Sequence, residues 1–269
     1  MTIYAEVIGD PISHSKSPLI HRFWLQKLGI VADYRAHHVL PDALPDYFAE
    51  RLTDADWRGC NVTIPHKLAV LDHIADPGGV RDSIGAANTI FRNRDGDLQA
   101  TNTDAAGFFG PISDMDWTGA PAVVIGAGGA ARAVLFALAQ ADIGNVTLLA
   151  RSPLKAAALL ARFGLKGSVL AMDANLPPAA LVINSSPLGM VGQPSLDLDL
   201  SPLPDDAWVY DLVYAPLETE LLKAAKARGM VTVDGLEMLV GQAALAFEMF
   251  FGVAPPSDSD EELRAVLLK

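Results

Sequence analysis

The stretch VVIGAGGAARAV, residues 123–134, decides the fold of this chain. An apolar segment leads into Gly126, Gly128 and Gly129, and an alanine-rich segment follows. Glycine lets the backbone turn tightly and approach a pyrophosphate, whose oxygens then bind the N–H groups of a helix N-terminus. Ala131 takes the third position of the fingerprint, where alanine is allowed. The stretch therefore predicts a dinucleotide-binding turn, with a plain strand-to-helix turn as the alternative.

Short apolar segments recur through the second half of the chain. Wholly apolar strands are typical of a parallel sheet that is covered on both faces. Alanine-rich segments of helical composition separate several of them. The predicted strands comprise residues 122–125, 146–149, 169–172, 181–183, 208–212 and 231–233. This alternation predicts a doubly wound α/β domain.

The N-terminal part also alternates between strands and helices. Strands are predicted at 3–9, 33–39 and 61–64, and a hairpin of residues 87–93 and 98–101 around Asp95-Gly96. Helices are predicted at 17–28, with Ser17 as the N-cap, and at 41–52 and 67–75. Near the C-terminus, a long helix is predicted at 236–250, and the acidic segment 255–260 is expected to be mobile.

Composition excludes several classes of protein. The 269 residues carry a formal charge of −12, which disfavours binding to nucleic acid or to an anionic membrane. No apolar run reaches the ~18 residues of a membrane span, and the N-terminus shows no secretory signal. Cys60 is the one cysteine, which suits a reducing compartment, and the histidines form no metal-binding pattern. We therefore expect a cytoplasmic protein without a metal.

The segment after the second apolar strand bears on which nicotinamide cofactor would bind. NAD sites usually carry an acidic residue there, for the ribose 2′-hydroxyl. Residues 145–153 contain no acid, whereas Arg151 and Lys155 lie at that place. A guanidinium and an ammonium group suit a 2′-phosphate, so the sequence predicts NADP. A solvated loop arginine is the alternative for Arg151.

Six further stretches occur in a fixed order. They are GDPISHSKSP at 9–18, NVTIPHK at 61–67, GAANT at 85–89, NTDAAG at 102–107, INSSPLGM at 183–190 and DGLEMLVGQAALAFE at 234–248. Together they resemble the shikimate dehydrogenase family over residues 3–252. Two positions depart from the family pattern: Ala150 stands where asparagine is common, and Ala105 where glycine is frequent.

The resemblance implies a two-domain α/β enzyme that reduces 3-dehydroshikimate to shikimate with NADPH, in chorismate and aromatic amino-acid biosynthesis. It places a substrate domain at 1–103 plus 236–269 and a Rossmann-type NADP domain at 104–235, with the active site in the cleft. The partner is then a small molecule, and a homodimer is compatible with the family. A quinate/shikimate dehydrogenase using NAD and a non-catalytic ligand sensor are the alternatives.

The resemblance also assigns the catalytic pair. Reducing a ketone needs a proton on oxygen as well as a hydride on carbon. Lys67 matches the family's proton donor, and Asp104 matches its partner carboxylate, which favours the charged lysine. Their alternatives are a solvated lysine in a first helical turn and an ordinary helix N-cap.

The remaining site residues are implied in the same way. The substrate-binding residues would be Ser15, Ser17, Thr63, Asn88, Tyr214 and Gln242. The cofactor-binding residues would be Gly126, Ala127, Gly128, Gly129, Ala130, Arg151, Ser152, Lys155, Ser185, Leu212 and Gly235. Structural alternatives remain open for several of them: a helix cap for Ser17, a turn for Asn88, packing for Tyr214 and a helix-surface amide for Gln242.

Overall fold

The computed structural model describes residues 2–76, 78–93 and 95–268. The chain forms two compact units. The first unit comprises the residues up to Thr103 and those from Val240 onward, and the second comprises Asp104–Leu239. Each unit has its own sheet.

The elements follow one another along the chain in this way. The strands are β1 Ile3–Gly9, β2 Ala32–His38, β3 Trp57–Val62, β4 Thr89–Arg92, β5 Leu98–Thr101, β6 Ala122–Ile125, β7 Val146–Leu149, β8 Gly167–Leu170, β9 Leu181–Asn184, β10 Trp208–Asp211 and β11 Val231–Val233. The α-helices are α1 Ser17–Lys27, α2 Leu44–Thr53, α3 Val80–Ser83, α4 Asp104–Phe109, α5 Gly129–Gln140, α6 Pro153–Arg162, α7 Glu220–Ala227, α8 Gly235–Phe251 and α9 Asp260–Leu267. Short 3₁₀ helices are Pro41–Ala43, Ala69–Asp72, Gly110–Ile112 and Ser257–Ser259.

The first unit is built on a five-stranded sheet in the order β2-β1-β3-β4-β5. β1 runs parallel to β2 and β3, whereas β4 is antiparallel to β3 and β5. Because β1 and β3 are parallel neighbours, the segments that follow Gly9 and Val62 leave the same edge of the sheet. Two hydrogen bonds join these segments, from the Thr63 N–H to the Ile8 carbonyl and from the Asp10 N–H to the Ile64 carbonyl, both 3.0 Å.

An aromatic cluster fills the core of the first unit. His21, Trp24 and Tyr34 lie against Phe247 and Phe250 of α8, and each of these side chains is at most 3% exposed. The C-terminal part of α8 is therefore part of this core. Burial of such large rings contributes a substantial share of the stability of a domain this size.

The prediction for residues 61–75 is wrong in two respects. The strand begins at Trp57 and ends at Val62, and the helix expected at 67–75 is only the 3₁₀ turn Ala69–Asp72. The reason is a competing hydrogen bond, because the Lys67 carbonyl accepts the N–H of Ala87 at 2.8 Å. That carbonyl is bonded across to another segment rather than within a helix.

One smaller prediction is also corrected. Ser17 is the first residue of α1 rather than its N-cap, and its N–H donates to Ser15 Oγ at 3.3 Å. The acidic segment 255–260 contains the 3₁₀ helix Ser257–Ser259, which leads into α9 and in which Ser259 is buried. Its mobility remains a prediction.

The second unit confirms the predicted doubly wound parallel sheet. Its six strands lie in the order β11-β10-β9-β6-β7-β8 and all pairs are parallel. Relative to their order along the chain, this is the 3-2-1-4-5-6 arrangement of dinucleotide-binding folds. The central strands are fully buried, as their apolar composition predicts. β8 begins two residues earlier than expected, at Gly167 rather than 169.

Candidate active site

The glycine stretch forms the connection between β6 and α5. Gly126 has φ +109°, a conformation that favours glycine, and a Cβ there would lie 3.0 Å from Ser185 Oγ. Gly128 precedes α5, and no heavy atom of the described residues lies within 4 Å of a Cβ built on it. The first turn of α5 consists of Gly129, Ala130, Ala131 and Arg132, so no carboxylate competes for its N–H groups. This connection fits a bound pyrophosphate, with Ala127 at its tip.

Arg151 and Lys155 follow the neighbouring strand. β7 pairs with β6 in parallel register, with Leu149 beside Ile125, so both strands end at the same edge of the sheet. Ser152 precedes α6, and its carbonyl accepts the N–H of Ala156. Arg151, Ser152 and Lys155 are exposed at this edge. Two cations near the pyrophosphate turn fit the 2′-phosphate of NADP.

A buried polar network organises the ends of β9 and β10. Asp211 is fully buried and accepts hydrogen bonds from Asn184 Nδ2 at 2.9 Å, the Val213 N–H at 3.0 Å and Thr219 Oγ1 at 2.6 Å. Burial raises the pKa of Asp211 above its usual range, although these hydrogen bonds oppose that effect. Sequence reasoning missed Asp211 and Thr219. A carboxylate at the end of an apolar strand is the signal that could have revealed them.

The same network supports Ser185. Asn184 Oδ1 accepts from both the N–H and the hydroxyl of Ser186, which shapes the loop that follows β9. Ser185 Oγ donates to the Ile125 carbonyl at 2.6 Å, so the loop is held to the end of β6. The structure thus brings Ser185 beside the glycine turn, where the sequence placed a cofactor contact.

Leu212 and Gly235 lie against each other in the second unit. A Cβ on Gly235 would be 2.4 Å from the Leu212 carbonyl oxygen, so only glycine fits without a shift of the backbone. Tyr214 follows two residues after Leu212, and burial raises the pKa of its phenol. The phenol is therefore a hydrogen-bond donor at any ordinary pH.

Lys67 lies in the turn after β3 in the first unit. The turn is fixed at both ends, by the His66 N–H bonded to the Thr63 carbonyl and by the Lys67 carbonyl bonded to Ala87. His66 is buried, and its Nε2 lies 2.7 Å from the Val39 carbonyl, which requires Nε2 to carry the proton. His66 is thus a packing residue, while Thr63 and Lys67 remain partly exposed on the same turn.

Asn88 and Gln242 come together in the first unit although 154 positions separate them. Asn88 Nδ2 donates to Gln242 Oε1 at 3.2 Å and to Thr103 Oγ1 at 2.9 Å. Thr103, which sequence reasoning did not single out, immediately precedes Asp104. Both amides are buried, so the helix-surface alternative for Gln242 is wrong.

Ser15 and Ser17 lie at the N-terminal end of α1. Ser17 is 5% exposed and Ser15 is partly exposed. The N-cap residue is Lys16, whose side chain does not cap the helix, whereas the Ser15 hydroxyl accepts the N–H of Ser17 in the first turn. Asp104 begins α4 in the second unit and is 4% exposed, at a helix end that favours a negative charge.

The described residues form neither a metal-binding cluster nor a membrane-spanning helix. No group of three or more His, Cys, Asp or Glu side chains in the described part of the chain could hold a metal ion. Among the described helices, none is long and apolar enough to cross a membrane.

The parallel sheet, its glycine turn and the cations after the next strand define a dinucleotide-binding α/β protein. Residues 7–90 match the family described as "Shikimate dehydrogenase substrate binding domain", and residues 235–263 match "Shikimate 5'-dehydrogenase C-terminal domain". A relative from Sphingopyxis alaskensis, named Shikimate dehydrogenase (NADP(+)), is 67% identical over 98% of this chain and 97% of its own. The chain belongs to the shikimate dehydrogenase family.

Solved structures share the fold. A shikimate 5-dehydrogenase from Thermus thermophilus, in complex with NADP(H) and shikimate, is 36% identical with a TM-score of 0.85, and the match covers 98% of this chain and all of that one. The ligand-free 5-ketofructose reductase of a Gluconobacter species is 29% identical with a TM-score of 0.88, covering 99% and 98%. Similar folds therefore occur in proteins named for different substrates.

Proposed function

We propose that this chain catalyses the reversible, NADP(H)-linked reduction of 3-dehydroshikimate to shikimate. The observation that carries the proposal is the 67% identity, over nearly the full length of both chains, to a protein named Shikimate dehydrogenase (NADP(+)). Fold similarity alone would not select this substrate, because 5-ketofructose reductase has a comparable TM-score. The basic residues that follow β7 add independent support for the cofactor.

Lys67 is proposed to move the proton. Bound NADPH supplies the hydride to the carbonyl carbon, and the Lys67 ammonium gives a proton to the carbonyl oxygen, so the product is a neutral alcohol. In the reverse direction, the lysine takes the proton from the hydroxyl. Asp104 is proposed as the carboxylate that favours the protonated lysine. The backbone of each residue is held in place: Lys67 lies in a hydrogen-bonded turn, and Asp104 begins a helix.

The other polar residues are proposed to orient the substrate. Ser15 and Ser17 would bind the carboxylate, and the raised pKa of Tyr214 keeps its phenol protonated as a third donor to that group. Thr63, Asn88 and Gln242 would bind the ring hydroxyls. We propose the first unit as the substrate domain and the second as the NADP domain. The match at 7–90, described as a substrate-binding domain, supports the first of these.

In the second unit, the proposed cofactor residues have separate tasks. The turn at Gly126, Ala127 and Gly128 would hold the pyrophosphate with the first N–H groups of α5, at Gly129 and Ala130. Arg151, Ser152 and Lys155 would bind the 2′-phosphate, while Ser185, Leu212 and Gly235 would contact the nicotinamide side. We propose the cytoplasm as the location, and the one cysteine, Cys60, is a free thiol, which suits a reducing compartment.

A spectrophotometric assay tests this function. The purified chain is incubated with NADPH or NADH and with 3-dehydroshikimate, and in the reverse direction with NADP⁺ or NAD⁺ and shikimate or quinate. We expect turnover with 3-dehydroshikimate and NADPH, and much slower turnover with NADH. Faster turnover of quinate with NAD⁺ would support the quinate alternative instead. Binding of shikimate without any turnover would indicate a ligand sensor.

A further inference from the structure

A chain of buried hydrogen bonds runs through the first unit. It begins at Tyr34 on β2, passes through Asn61 on β3 and Thr89 on β4 to Asn88, and ends at Gln242 on α8. All five side chains are at most 7% exposed. Asn61 and Thr89 have no role in the proposed function, although each is a polar residue within a buried strand.

The distances are short along the whole chain of bonds. Tyr34 Oη lies 2.6 Å from Asn61 Oδ1, and Asn61 Nδ2 lies 3.0 Å from Thr89 Oγ1. Thr89 Oγ1 is in turn 3.1 Å from Asn88 Oδ1, and Asn88 Nδ2 is 3.2 Å from Gln242 Oε1. Along this chain, each of the first four side chains donates to the next one, and Gln242 Oε1 accepts the last bond.

Two main-chain groups fix this direction. The N–H of Thr103 can only donate, and it lies 2.7 Å from the Asn88 Oδ1 atom. The carbonyl of Asn88 can only accept, and it lies 3.3 Å from Asn61 Nδ2. The oxygen and nitrogen ends of both asparagine amides are thereby determined by chemistry. Thr89 can then satisfy both neighbours only by accepting from Asn61 and donating to Asn88.

The consequence reaches Gln242. Because Asn88 Nδ2 is a donor, the Gln242 atom that faces it must be the oxygen Oε1, which Thr103 Oγ1 also approaches at 3.4 Å. The opposite end of the Gln242 amide is its NH₂ group. Buried polar chains of this kind polarise one another, so reversing one bond disturbs the whole chain.

We propose that Asn61 and Thr89 are positioning residues that, through this one-way chain, hold the Asn88 and Gln242 amides so that Gln242 meets a substrate hydroxyl as a donor. The inference rests on the proposed function, because that function assigns both amides to the ring hydroxyls of shikimate. The inference adds that Gln242 donates to the substrate hydroxyl, and that Asn61 and Thr89 determine this direction.

Thr89→Val tests the inference, since valine keeps the branched shape and removes only the hydroxyl. We expect the KM for shikimate to rise about tenfold, as for one buried hydrogen bond left unmade. The KM for NADP⁺ should not change, because the second unit is untouched. Thr89→Ser, which restores Oγ, should return the KM for shikimate to the wild-type value. Tyr34→Phe, at the far end of the chain, should raise it by a smaller factor.

Thr101→Val is the matched control. Thr101 pairs with Thr89 across β4 and β5 and takes no part in the chain of bonds. An equal rise in the KM for shikimate in Thr101→Val, or a wild-type value in Thr89→Val, would overturn the inference. Calorimetric titration of shikimate into the wild-type protein distinguishes a failure of this inference from a failure of the proposed function. A wild type that neither binds nor oxidises shikimate would overturn the proposed function, and this inference with it.

Discussion

The imidazole ring of His21 lies parallel to the phenol ring of Tyr34, with 3.9 Å between their centroids and 2° between their planes. His21 is fully buried, and within the described residues neither of its ring nitrogens has a hydrogen-bond partner. Burial lowers the pKa of His21 to about 3. The side chain therefore acts as a neutral aromatic ring in the core of the first unit.

This pairing predicts a pH dependence of stability. Burial depresses the pKa of His21 in the folded state below its unfolded value of 6.5. Between pH 6.5 and about 3, the unfolded chain therefore binds a proton at His21 that the folded chain does not. Stability is thus complete above pH 6.5 and declines as the pH falls through this window. At pH 5 the loss due to His21 should be about 2 kcal/mol.

His21→Phe should remove this contribution while keeping a ring against Tyr34. Urea unfolding at pH 7.5 and pH 5 measures the free energy of unfolding of both proteins. His14→Gln, which changes an exposed histidine, is the control. An identical fall between the two pH values in wild type and His21→Phe would contradict the prediction, whatever their absolute stabilities.

Lys67→Ala and Asp104→Asn should each lower kcat by about 10²- to 10⁴-fold, the usual contribution of general acid–base catalysis. The first variant removes the proposed proton donor, and the second removes its proposed charged partner. Lys27→Ala, an exposed lysine of the same unit, should keep full activity. Circular dichroism and thermal unfolding check that the fold is intact. Near-normal turnover in folded Lys67→Ala would refute its assignment.

Arg151→Ala should raise the KM for NADP⁺ by about 10- to 100-fold, because the proposed charged hydrogen bond to the 2′-phosphate would be lost. The KM for NAD⁺ should stay the same, since NAD⁺ has no phosphate there. Lys166→Ala, at an exposed position of the same unit, should change neither constant. Equal rises in the KM for NADP⁺ and for NAD⁺ would mean that Arg151 does not bind the 2′-phosphate.

Gly235→Ala should destabilise the second unit by about 1–3 kcal/mol, since the new methyl group would overlap the Leu212 carbonyl. Thermal unfolding measures the effect. Gly110→Ala is the control, because no heavy atom of the described residues lies within 4 Å of a Cβ there. If Gly235→Ala is as stable as Gly110→Ala, the backbone near Leu212 can shift without a loss of stability, and the prediction is wrong.

The parallel sheet was predictable because its strands are short and mainly apolar, and because the glycine turn marks where β6 ends. The segment after Val62 was not, since its structure depends on the hydrogen bond from Ala87 to the Lys67 carbonyl, between residues distant in sequence. Local propensity contains no information about such a bond. Sequence reasoning missed Asp211 and Thr219 for the same reason, because their hydrogen bonds are to residues that only the folded chain brings together. The roles of the site residues remain predictions.

Helix α8 begins in the second unit, and its later residues belong to the first. Phe250 lies among Ala5, Val7 and Tyr34, and a Cβ on Gly59 would be only 2.6 Å from its ring. A nascent chain emerging from the ribosome therefore cannot complete the core of its N-terminal 103 residues first. The aromatic residues of that part stay uncovered until the second unit has been synthesised and Phe250 has left the ribosome.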